Sequence, residues 1–205
     1  VNNVRNGLGI ASYHGFTPPS LLSKKTKGYR LNKKEAQRLI LESELDISQP
    51  LTLGVTSDYM DMALFIKNDL ESAGFTIKID IHPGSYLRQL RNEQQIDFYR
   101  GSWIADYPDA ENYLACFYGA NHYPKGPNYS RYQDDAFDNL YNQAMLETNP
   151  ISRGLLMNAM DSILMQNPPI ICLYYDKSLR ITKPSVKNLF SYPNNMLQLK
   201  YVMKD

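Results

Sequence analysis

LTLGVTSDYMDMALFIKNDLESAGFTIKIDI, residues 51–81, is the stretch whose reading decides the fold class. Residues 51–55 alternate as a short strand. From Asp58 an amphipathic run carries Met62, Leu64, Phe65 and Leu70 and is closed by Gly74, the residue that most easily takes the backbone conformation ending a helix. Residues 75–81 return to a strict period of two. Strand, helix, strand in this order is a βαβ unit, whose two strands run parallel and whose crossover is right-handed. The class is therefore α/β.

Outward from this unit the pattern continues. Upstream, Asn32 is placed to cap a helix over 32–43, with Glu35 at the capping-box distance and Leu39, Ile40 and Leu41 supplying apolar bulk. Residues 1–30, rich in Gly, Pro, Ser and Tyr, have no sustained period and read as irregular. Downstream, a second helix is expected over 85–91 and a third strand over 96–103, extending the sheet. Residues 104–133 form a long stretch without clear periodicity. Helices follow over 134–146 and 150–166, the second with the apolar spacing of a helix buried against a sheet. Pro168-Pro169 then breaks it ahead of an apolar strand over 170–175, and the remainder to Asp205 is strand and turn.

Composition narrows the function. Hydrophobic content of 43% with 21% charge is that of a globular chain able to bury a core, and no stretch approaches the roughly 20 apolar residues of a membrane span. A net charge of +1 argues against a nucleic-acid or anionic-membrane partner. Cys116 and Cys172 have neither the spacing of a zinc site nor that of a redox dithiol. HExxH, GxSxG, P-loop and GxGxxG strings are all absent, so no cofactor is expected. The start, Val1-Asn2-Asn3, reads as a processed or excised end rather than a targeting segment.

Ligands of open α/β sheets gather beyond the carboxyl ends of the strands, where the long loop begins. There Arg100-Gly101-Ser102-Trp103-Ile104-Ala105-Asp106-Tyr107-Pro108-Asp109 gathers a cation, the only tryptophan, two carboxylates and a tyrosine. An aromatic wall gives apolar contact and cation affinity, and an acid beneath it can pair with an ammonium group. The same residues also fit a structural reading in which Trp103 plugs the core and Asp106 and Asp109 cap turns around Pro108. Later in the loop, Asn121, His122, Tyr123, Asn128 and Tyr129 are second-rank candidates for lining a cleft. A hydrolytic reading would recruit Asp106, Asp109, Glu111 and His122, but the three histidines are scattered and no catalytic spacing joins them. His82, beside Pro83-Gly84, reads as part of a turn.

Trp103-Ile104-Ala105-Asp106-Tyr107-Pro108-Asp109 followed by Asn112 resembles the W-x-x-D-Y-P-D-x-x-N segment of the extracytoplasmic solute-binding proteins of ABC importers, oligopeptide/dipeptide type, family 5. Gly15-Phe16-Thr17-Pro18-Pro19, Lys33 to Leu39, Asn128-Tyr129 with Phe137-Asp138, Arg153, Pro168 to Tyr174 and Lys183 to Val186 fall in the same order as in that family. The resemblance implies a periplasmic-binding-protein-like lobe, with irregular N-terminal and strand-rich C-terminal segments. Residues 1–168 would be the C-terminal ligand-binding lobe of a longer, two-lobed clamp, and 169–205 a return segment packing partly toward a first lobe absent from this chain. It implies no enzyme but capture of a short peptide or similar small solute. Asp106 would neutralise the free amine, Trp103 would line the cleft beside it, and Arg100, three positions before the tryptophan, would meet carboxylates. Tyr107, Asn121 and Tyr123 complete the expected ligand-binding set. The implied partner is a membrane permease. The implied location is periplasmic or otherwise extracytoplasmic, with a lipid anchor on an N-terminal cysteine that this sequence does not include. Nickel complexes, haem, opines and sugars are cargoes of the same family, and a sensory role uses the same lobe.

Overall fold

Residues 51–81 fold as their two periods require. In the computed structural model, which describes residues 5–22, 28–43, 45–177, 179–192 and 196–205, strand β2 (Leu51–Val55) pairs in parallel with β3 (Ile77–Ile81). The register runs from Leu51 opposite Ile77 to Val55 opposite Ile81. These labels leave β1 for Ile10–Ala11, α1 for Lys33–Glu42 and α2 for the crossover helix Met60–Ala73. Helix α2 ends at Gly74, whose φ of 124° turns the chain so that the Phe75 N–H donates back to the Leu70 carbonyl (3.2 Å). Leu53, Val55, Ala63 and Ile77 are buried between sheet and helix.

The third strand, β4 (Phe98–Tyr99), flanks β2 on its other side, giving an all-parallel sheet of order β3-β2-β4. It is much shorter than the 96–103 expected from sequence. After Arg100 donates to the Gly54 carbonyl (2.9 Å), the next carbonyls are committed elsewhere, that of Val55 to His82 N–H (2.8 Å) and that of Thr56 to Tyr59 N–H (3.0 Å). Helix α3 (Gly84–Asn92) buries Leu87 and Leu90. Gly54 packs closely here: a Cβ would stand 2.2 Å from Ile96 Cδ1 and 3.0 Å from Leu87 Cδ1, so a larger residue would have to displace the ends of those side chains. Helix α1 is capped as expected, Asn32 Oδ1 accepting from Glu35 N–H (3.2 Å), but its apolar residues enter no core: Leu41 is 83% exposed and the helix buries nothing.

The chain forms two compact units, Tyr29–Ser102 and the non-contiguous pair Val1–Gly28 with Trp103–Asp205. Positions 1–4 and 23–27 of the irregular N-terminal stretch lie outside the described residues. The second unit is helical at its centre. Helices α4 (Ala110–Leu114), α5 (Asp135–Leu146) and α6 (Pro150–Gln166) enclose Leu114, Phe117, Phe137, Ala144, Met157, Met160 and Leu164. The sequence expectation that α6 lies against a sheet is thus corrected: its partners are α4 and α5, and its buried Met157, Met160 and Leu164 meet other helices' side chains. Asp134 caps α5 by accepting from Phe137 N–H (2.8 Å), and Asn149 caps α6 ahead of Pro150.

The apolar run 170–175 yields only β5 (Tyr174–Tyr175), antiparallel to β1. Beyond it the pairing is carried on by Ser12 N–H, which donates to the Leu173 carbonyl (3.1 Å). Strands β6 (Val186–Lys187) and β7 (Met203–Lys204) form a separate antiparallel pair. The segment 12–17 is clipped to α6 and β5 by buried polar groups. Thr17 N–H donates to Asp161 Oδ1 (3.1 Å), while the Tyr175 hydroxyl donates to the carbonyls of Gly15 (2.7 Å) and Thr17 (3.1 Å). Gly15, at φ 149°, lies so close beneath Asp161 that a Cβ would fall 2.0 Å from its Oδ2. Among the described residues no helix is long and apolar enough to cross a membrane.

Candidate functional site

The long loop is less irregular than its sequence, because α4 lies inside it. That helix is five residues long, too short to persist unaided, and is held from outside. Asp109 caps it by accepting from Glu111 N–H (2.8 Å), and Arg153 on α6 grips both oxygens of Asp109 at 2.8 and 3.1 Å. Burial alone would raise the Asp109 carboxyl, but the Arg153 guanidinium and the helix-end amide together hold it below the usual carboxylate range. Asp109 therefore takes the capping role that its sequence also allowed. Glu111, the next acid, accepts hydrogen bonds from the hydroxyls of Tyr107 and Tyr141. Burial first, and then this carboxylate, drive the Tyr141 hydroxyl far above its ordinary range.

Before α4, the loop hangs on one buried side chain. Asn112 is 5% exposed, and its Oδ1 accepts from Trp103 Nε1 (2.9 Å) and from the Asp106 N–H (3.3 Å). Trp103 is half-buried, its ring packed against the helical core, and Ala105 is buried. The Asp106 side chain, in contrast, is exposed, as are Ile104 and Tyr107. Trp103 thus rests on the core with its N–H anchored, as the structural reading expects, three residues before the exposed Asp106. A carboxylate beside an aromatic face is suited to receive a cation, an ammonium above all.

The structure brings Trp103, Asp106 and Tyr107 together around Asn112 and Glu111. Arg100 belongs to the other unit, where its guanidinium stacks 3.6 Å over the Tyr59 ring at the carboxyl end of β4. Asn121 donates from its amide to the Ala115 carbonyl (3.0 Å), and Tyr123 stacks on Tyr129 at 5.3 Å. Asn128 is fully buried, donating to the carbonyls of Tyr118 (3.1 Å) and Tyr132 (2.9 Å) and accepting from Tyr132 N–H (3.2 Å). It braces the loop from within. His122 Nε2 lies 3.0 Å from the Tyr132 carbonyl, and His82 pairs with Asp80 at 3.1 Å. Of the four residues a hydrolytic reading would need, Asp109, Glu111 and His122 are each engaged with separate partners. Among the described residues no group of three or more His, Cys, Asp or Glu is arranged to hold a metal ion. Both thiols are pushed up to about 12, chiefly by burial.

The loop thus carries an aromatic side chain and an exposed acid, braced from within by Asn112. The chain belongs to the bacterial extracellular solute-binding proteins of family 5; the description "Bacterial extracellular solute-binding proteins, family 5 Middle" matches residues 1–125. The periplasmic murein peptide-binding protein MppA of Escherichia coli (strain K12) is 25% identical over 186 residues, which are 88% of this chain and 33% of that protein. Among solved structures, the periplasmic binding protein DppA from Helicobacter pylori, in complex with the peptide STSA, has a TM-score of 0.78 at 23% identity. It covers 85% of this chain and 35% of its own. The dipeptide binding protein from Pseudoalteromonas sp. SM9913, in complex with Met-Leu, has a TM-score of 0.81 at 18% identity over 100% of this chain and 42% of that one. These two likenesses are of fold, and they establish the periplasmic-binding-protein-like α/β class. The chain spans about a third of the length of the curated relatives it matches.

Proposed function

We propose that this chain is the amine-recognising part of the substrate-binding component of an ABC importer, capturing short peptides outside the cytoplasmic membrane. The observation that carries the reading is the exposed Asp106 carboxylate on a backbone anchored, together with Trp103, to buried Asn112. Asp106 receives the peptide's ammonium group, and the Trp103 ring walls it. Arg100, already stacked on Tyr59, meets ligand carboxylates, while Tyr107, Asn121 and Tyr123 line the remainder. The names of MppA and of the peptide-bound structures support peptide as the cargo. The partners are a membrane permease and the remainder of a two-lobed family chain, with 1–168 as the binding lobe and 169–205 turning toward the other. The location is extracytoplasmic, with a lipid anchor upstream.

Calorimetry on the protein carrying this chain tests the proposal, using a peptide mixture and its N-acetylated counterpart. Free-amine peptides should bind and acetylated ones should not. Asp106→Asn should weaken binding by at least about 2 kcal/mol, roughly 30-fold, the lower end for truncating one side of a hydrogen-bonded charge pair. Equal binding of acetylated and free peptides refutes amine recognition.

A further inference from the structure

We propose that Asn112 is the positioning residue of the amine site, a role that rests on the reading of Asp106 and Trp103 just given. One buried oxygen serves two donors at once, an indole N–H nine residues upstream and a main-chain N–H six residues upstream. An indole has a single donor, lying in the plane of its ring, so a fixed acceptor fixes how the ring is turned. The amide bond to Asp106 fixes the Cα from which the exposed carboxylate projects. Ring orientation and carboxylate origin, the two quantities that define a cation-binding corner, are therefore set by the same atom. The neighbouring Tyr107 hydroxyl donates to Glu111. The position needs an acceptor toward both Trp103 and Asp106 with no net charge in a buried place, which an amide oxygen supplies.

Asn112 in turn sits on α4, which is fixed at its start by Asp109 and Arg153 and at its other end by buried Leu114. Its N–H donates to the Asp109 carbonyl (3.3 Å). The corner is thus referred back to α6 without any of these residues touching the ligand.

The test measures the ratio of free-amine to N-acetylated peptide affinity, together with the Trp103 indole N–H resonance, assigned by its loss in Trp103→Phe. Asn112→Ala should lower the affinity ratio by about tenfold or more, the usual scale for removing a residue that orients a binding group. It should also shift the indole resonance and speed its exchange with solvent. A merely structural defect reduces the competent fraction equally for both ligands and leaves the ratio untouched. Asn112→Gln carries the same groups one methylene further out; it should also depress the ratio, and it supplies the measurement where the alanine variant does not fold. Asn112→Asp, which keeps the acceptor, should restore the indole resonance toward its original position. An unchanged ratio in a folded alanine or glutamine variant overturns the proposal. If the unsubstituted protein fails to discriminate acetylated from free peptide, it is the amine reading itself that has failed, and that outcome is visible before any Asn112 variant is made.

Discussion

The two units bury different kinds of side chain. Among the described residues, the buried side chains of Tyr29–Ser102 are apolar, among them Leu53, Val55, Met62, Ile77, Leu87 and Leu90, whereas the four buried polar ones, Thr17, Asn112, Asn128 and Asp161, all fall in the other unit. The difference follows from how each satisfies its main chain. A parallel sheet pairs its own N–H and carbonyl groups, leaving the side chains free to be purely apolar. A helical core threaded by long loops has buried main-chain groups with no ladder to join, so side-chain amides and carboxylates must serve them. The candidate site is on the second kind of scaffold. Its precision comes from hydrogen bonds rather than from a regular element.

That contrast makes unequal demands on substitution, and the largest effect is expected at Asn128. Asn128→Leu keeps volume nearly constant but removes three bonds, to the Tyr118 and Tyr132 carbonyls and from the Tyr132 N–H, leaving each group with one other partner: Asn121 N–H, His122 Nε2 and Ser130 Oγ. At about 0.5–1.5 kcal/mol net for each hydrogen bond lost, a loss of roughly 2–4 kcal/mol is expected in urea unfolding. Hydrogen exchange should rise first in residues 118–132. A cost below about 1 kcal/mol would dissolve the contrast, since an apolar filler would then serve as well as the amide. In the sheet unit the corresponding near-isosteric change, Ile77→Val, should cost only about 0.5–1.5 kcal/mol, because it removes one methylene and orphans nothing. A larger loss there would show that the sheet unit depends on fit as tightly as the other does on hydrogen bonds.

The same contrast explains what could be read before the structure. Periodicity announces elements whose neighbours are near in sequence, and so residues 51–81, the Gly74 stop, the cap Asn32 and the two helices after residue 133 were legible. Strand lengths were not, because Phe98–Tyr99 and Tyr174–Tyr175 pair with β2 and β1, which lie far away in the sequence. Helix α4 is shorter than two turns and shows no period. At the site, Trp103, Asp106 and Asn112 stood together in one string, but the string alone could not tell which of its acids faces out. Asp109 is committed by Arg153, 44 residues away, and Glu111 by Tyr141, 30 residues away; no local spacing signals either pair. The apolar run of α1 was visible, yet its exposure was not, since burial depends on what packs against it.

The smallest effect concerns a charge pair that the hydrogen-bonded unit places near its surface, at the start of α4. Because Arg153 and the α4 amide keep Asp109 ionised below the ordinary carboxylate range, the folded state binds this proton less readily than the unfolded chain. The stabilisation is therefore complete above the ordinary carboxylate range and is lost as pH falls through the depressed folded value. Asp109 and Arg153 side chains are 34% and 30% exposed, so solvent screening keeps the contribution below about 1 kcal/mol. Asp109→Asn separates charge from capping, because asparagine caps a helix as well as aspartate does. The variant should lose only the charge contribution near neutral pH and should show a flatter decline of stability on acidification, read from urea midpoints across that range. If instead it loses several kcal/mol at every pH, Asp109 is a structural keystone like Asn128 rather than a screened surface charge. The distinction between hydrogen-bonded interior and tunable exterior would then have to be drawn deeper inside the loop, at Asn112.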